Sequence, residues 1–143
     1  MDWLTKHAAR IILALTIAFA ILWFSNNFSY GAYLDGVARE LYASYANDIL
    51  LPFGFYFGLC ALENFIPALR SWKIKAAIAF LVPSIMEILQ PLWAQGIGLN
   101  FITAEHLGLG ISFDPFDFFA YAAGVLFAAF TERKFLNRFA FWN

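Results

Sequence analysis

At 143 residues the chain is 62% hydrophobic and only 13% charged, where soluble domains run at about 45–50% and about 25%. That balance excludes an ordinary soluble fold and reads as one integral membrane domain, 1–143. The net charge of −1, with no basic run and no basic–aromatic alternation, sets nucleic acid aside as a partner, and the single Cys60 excludes an internal disulfide and reads as a small packing residue.

The first apolar segment covers about 8–24, with Lys6 and Arg10 at its start and Trp23 at its end. It reads as a retained helix, because Ser25-Asn26-Asn27-Phe28 offers no small-x-small cleavage site. In the loop that follows, Leu34, Val37, Ala38, Leu41 and Tyr45 recur at i, i+3, i+4, i+7 spacing, which predicts a short helix lying in the membrane interface. A second span is expected over about 49–69, interrupted by Pro52 and Pro67 and carrying Glu63 near its end, where it can snorkel toward or pair with Arg70. The third, about 74–93, carries Pro83, Ser84, Glu87, Gln90 and Pro91. The fourth, about 115–130, opens on Asp114-Pro115. An acid before a proline is a helix start, since the carboxylate can cap and proline fits the first helical position. Prolines inside such helices are tolerable where neighbouring helices satisfy the freed carbonyls. The five tryptophans fall near span ends, as interfacial anchors do.

The fold class expected is therefore an all-α membrane protein with four transmembrane helices. Lys6 and Arg10, then Arg70, Lys73 and Lys75, then Arg133, Lys134 and Arg138 all fall on one side, with only Arg39 on the other. Cytoplasmic loops are enriched in Lys and Arg, so both termini are expected in the cytoplasm. The loop 96–113 then faces outward, and its length suits a segment that dips toward the bundle or covers it.

Ser84, Glu87 and Gln90 recur every three residues and share one side of the third span. Glu87 lies about 9 Å below the outer belt marked by Trp93. Asp117, Tyr121 and Gly124 are spaced i, i+4, i+7 and line one face of the fourth span, offering a carboxylate, a phenol and a gap. Antiparallel spans joined by one outer loop can bring Glu87, Gln90, Asp114 and Asp117 to a single outward-facing pocket, with Tyr121 beside it and His106 from the loop as a cap. Each acid also has a local use: Asp114 as a helix cap, Asp117 at the positive end of the helix dipole, Glu87 and Gln90 as helix clamps. No HExxH, paired cysteines or fixed histidine spacing supports a metal, no nucleophile stands beside a convincing base, and no cofactor is implied. The polar residues gather at one side and line no continuous channel.

Glu87-x-x-Gln90, an outer loop, then Asp114-x-x-Asp117 with Tyr121 and Gly124 resembles the VanZ-like family of small membrane proteins, and Asn47-Asp48-Ile49-Leu50 is similar to that family's acidic start to its second helix. The likeness covers roughly 48–124. It departs from the family pattern in having no Lys or Arg between Lys75 and Arg133, and no His after Asp48 in the second span. The resemblance implies a cell-envelope protein of the bacterial plasma membrane whose site recognises a lipid or lipid-linked envelope precursor, with a link to glycopeptide resistance. Two other readings stay open: a membrane enzyme using Glu87 and Asp117 as acid and base on such a lipid, and an assembly subunit that engages a membrane-protein partner.

Overall fold

A computed structural model describes residues 3–27, 35–94 and 114–142. Among them every regular element is a helix: α1 spans Trp3–Asn27, α2 Gly36–Leu62, α3 Trp72–Ala94 and α4 Asp117–Lys134, with single 3₁₀ turns at Pro67–Arg70 and Leu136–Arg138.

The middle of α1 is a continuous apolar run, and 11% of the window His7–Phe24 is buried. So exposed an apolar helix is unlike the core helix of a soluble protein. α2 is the longest element, with 27 residues. At the helical rise it measures about 40 Å, well beyond the roughly 30 Å of a bilayer core. His7–Phe24 and α2 are each long and apolar enough to cross a membrane.

α2 packs against each of the other three helices, most extensively against α1 and α4. Small residues set these approaches. Ala14 and Ala18 of α1 are buried, and a Cβ added at Gly54 would lie 3.2 Å from Leu22 Cγ and 3.4 Å from the Ala18 carbonyl oxygen. The α4 crossing is tighter, since a Cβ at Gly124 would stand 2.1 Å from the Ile49 carbonyl oxygen and 3.1 Å from Pro52 Cγ. Only hydrogen fits there, as in the small-residue crossings typical of membrane helices. The core built around α2 contains Tyr56, Phe57, Cys60, Ala79, Ala128 and Trp142.

Large apolar side chains point outward at helical spacing: Leu81, Ile85 and Ile88 on α3, Phe119, Leu126 and Phe130 on α4. Charged Glu63, Lys75, Glu87 and Glu132 are buried instead. Apolar outside and polar inside is the arrangement a bilayer favours and water opposes.

Several sequence expectations need correction. The segment around Leu41 is no separate interfacial helix but the first turns of α2, because its period runs without a break into the apolar stretch. α2 ends at Leu62 rather than near 69, where the Phe65 and Ile66 N–H groups fold back onto the Leu62 carbonyl and Pro67 opens a 3₁₀ turn. Asp114 does not cap α4. Its side chain accepts the Phe116 N–H at 2.9 Å in a turn that precedes the helix, which starts at Asp117. Trp142 is fully buried rather than an interfacial anchor. Lys75 belongs to α3 and is 1% exposed, not a loop cation. The loop 96–113 lies outside the described residues.

Candidate functional site

Two polar centres occupy opposite ends of the bundle. At one end, Glu87 on α3 is the hub. Its Oε2 accepts the Tyr121 O–H at 3.2 Å and its Oε1 accepts the Asp114 backbone N–H at 3.2 Å. Tyr121 of α4 therefore meets α3. Tyr45 of α2 donates its O–H to Asp114 Oδ2 at 3.4 Å. Asp48, four residues before the buried Pro52, lies close enough to Asp117 and Glu87 to interact with both electrostatically.

Of the expected site residues, Glu87, Asp114, Asp117 and Tyr121 thus come together. Gln90 lies in α3 one turn beyond Glu87, but its side chain and the whole of His106 are outside the described residues. The gap expected at Gly124 is closed by the α2 backbone. Asp48 and Tyr45 join the group from α2. Asp48 was legible as an acid opening the second span, but only tertiary packing turns it toward α3 and α4. Ser84, as expected, is buried, and its hydroxyl bonds the Phe80 carbonyl at 2.7 Å.

The other end holds an ion network that sequence reasoning missed. Lys75 Nζ bonds Glu63 Oε2 at 2.8 Å and Glu132 Oε1 at 2.5 Å. Arg10 pairs with Glu63 and stands 3.9 Å from Glu132. Glu63 therefore pairs with Arg10 and Lys75, not with Arg70. The Tyr56 hydroxyl donates to Glu132 Oε2, the Cys60 thiol approaches Glu132 Oε1 at 3.7 Å, and the Arg10 guanidinium lies 5.0 Å from the Trp142 ring centre. Glu132 continues the face of Tyr121, Val125 and Ala128 down α4, and that continuity was the available signal.

Cys60, Glu63 and Glu132 are close enough together to ligate a metal. Lys75 already bonds both glutamates, so its ammonium occupies the position a cation would take. The donor set fits an internal salt bridge rather than a metal centre.

No family model, curated protein or solved structure matches the chain.

Proposed function

We propose that this is a four-span, VanZ-like protein of the bacterial plasma membrane, both termini cytoplasmic, that recognises a lipid or lipid-linked envelope component through its outer carboxyl cluster. The observation that carries this reading is the meeting of Asp48, Glu87, Asp114 and Asp117, drawn from α2, α3 and the approach to α4. Neither α3 beyond Lys75 nor α4 before Arg133 brings a basic residue to them. Carboxylates at such a depth are costly without a partner and mark functional sites by default. A head group bearing a protonated amine is complementary to such a group of acids and donates hydrogen bonds to them. The orientation draws support from the opposite end, where the exposed Arg70, Lys73, Arg133, Lys134 and Arg138 accompany the inner ends of the helices.

Native mass spectrometry of the detergent-purified protein beside the Glu87→Gln/Asp117→Asn variant tests the proposal. A lipid kept by the parent and lost by the folded variant is the expected outcome; equal lipid content in both would sink it. The link to glycopeptide resistance rests on the resemblance, and comparing drug susceptibility of cells with and without the protein tests it.

The Asp48–Asp117 contact favours one further reading. Two neighbouring carboxyls whose environments differ can act as acid and base on a bound lipid. That reading requires turnover of the co-purified lipid which Asp48→Asn and Asp117→Asn each abolish while leaving lipid binding in place.

A further inference from the structure

Beneath the ion network, at the end opposite the carboxyl cluster, lies a cavity of about 400 Å³ bounded by the start of α1, the turn after α2, the end of α4 and the C-terminal segment. That volume is within the roughly 300–1,000 Å³ of small-molecule sites. Arg10, Asn64 and Trp142 are among its lining residues, and each holds a buried donor without a hydrogen-bond partner: Arg10 Nε, Asn64 Nδ2 and Trp142 Nε1. The Trp142 indole is completely inaccessible. Buried donors are almost always paired, and an orphaned one costs about 1–3 kcal/mol. Three such donors in the wall of one cavity, beside the paired Glu63 and Glu132, are what an acceptor-rich ligand would satisfy as the wall yields to it.

Charge points the same way. Arg10 and Lys75 are balanced by Glu63 and Glu132, but Arg70 and Arg133, which also line the cavity or its mouth, pair with no carboxylate among the described residues. Arg133 is held over the Trp72 ring at 5.0 Å, which positions its guanidinium without neutralising it. Two uncompensated guanidiniums above the Asn64 and Trp142 N–H donors match a phosphate group, whose oxygens accept in the forked geometry that arginine presents.

We propose that this cavity is a binding site for a phosphate group, carried by a phospholipid head group or by a soluble phosphate compound. The site is distinct from the outer cluster and stands or falls independently of it. The guanidiniums at the mouth meet the phosphate first, and the Arg10, Asn64 and Trp142 donors, closed off in the wall, pair with its deeper oxygens once the wall opens to it.

The test is a titration of the full-length detergent-solubilised protein, followed by tryptophan fluorescence, with two probes: inorganic phosphate and dihexanoyl phosphatidic acid below its micellar concentration. Saturable binding of at least one probe is expected, weakened at least tenfold in Arg70→Gln/Arg133→Gln. Both arginines are exposed, so that variant retains the fold. Trp142→Phe, which keeps the ring and deletes the N–H, is expected to weaken binding at least threefold while leaving the helical circular dichroism unchanged. Tighter binding of the lipid assigns the phosphate to a head group; equal binding assigns it to a soluble compound. Absence of saturable binding to either probe, or parental affinity in the double arginine variant, overturns the proposal.

Discussion

Lys75 carries the most exacting electrostatic position in the chain. Its ammonium is 1% exposed and bonded to two buried carboxylates, one from the end of α2 and one from α4. Removing one member of a buried ion pair leaves a charge without its counter-ion and costs about 3–5 kcal/mol, whereas replacing the pair with apolar groups is often close to neutral. Glu132→Leu and Lys75→Met are each expected to lower the thermal midpoint in detergent sharply. The double variant Lys75→Met/Glu132→Leu should recover much of the loss, since the coupling between contacting residues is strongly non-additive. A strictly additive double variant would mean that the two side chains do not interact. Glu87 poses a milder case. Glu87→Gln keeps an oxygen for the Tyr121 O–H or the Asp114 N–H, while Glu87→Leu strands both donors, so the leucine variant is expected to unfold more easily by about 1–3 kcal/mol. Equal midpoints for the two variants would remove Glu87 from its role as hub.

At the scale of the helix, α2 and the residues that approach it decide the packing. The contrast between two of its glycine contacts is measurable. Gly124→Ala drives a methyl into the Ile49 carbonyl of α2, where no relaxation of a side chain can make room. It is expected to destabilise by about 1–3 kcal/mol or more, the range for overpacking. Gly58, inside α2, has nothing within 4 Å of an added Cβ. Gly58→Ala should therefore be neutral or stabilising by up to about 1 kcal/mol through helix propensity alone. Thermal unfolding of the two alanine variants in the same detergent checks both, and a harmless Gly124→Ala would refute the close α2–α4 crossing. The same crossing explains why Asp117, Tyr121 and Gly124, though correctly read as one face, do not enclose an open pocket. Pro52 and the Ile49 carbonyl fill the place opposite the glycine. Sequence spacing places residues on a face but carries no information on which neighbour that face meets.

For the whole molecule, the convergence of Arg10, Glu63, Lys75 and Glu132 requires the start of α1, the end of α2, the start of α3 and the end of α4 to lie together, an up-down-up-down bundle. If the bundle spans the membrane with its basic end inside, a fluorescent protein fused after Asn143 should fluoresce. Alkaline phosphatase fused at the same place should be inactive, and phosphatase inserted near residue 100 should be active. The reverse pattern would invert the molecule and move the carboxyl cluster to the cytoplasmic face.

Composition, apolar run lengths and the placement of Lys and Arg determine an all-helical chain with apolar helices long enough for a bilayer, because those properties sum over many residues and survive local error. The grouping of Glu87, Asp114, Asp117 and Tyr121 was legible as well, since one helix period and one antiparallel connection are enough to align them. Tertiary structure alone decided the rest. It made one helix out of the Leu41 segment and the second span, added Asp48 to the acids, buried Lys75 with Glu63 and Glu132, and folded Trp142 back beneath Arg10. Each of those outcomes depends on contacts between residues tens of positions apart, and a buried charge has the same letter in the sequence as an exposed one. What separates them is the partner that the packing of other helices brings within bonding distance.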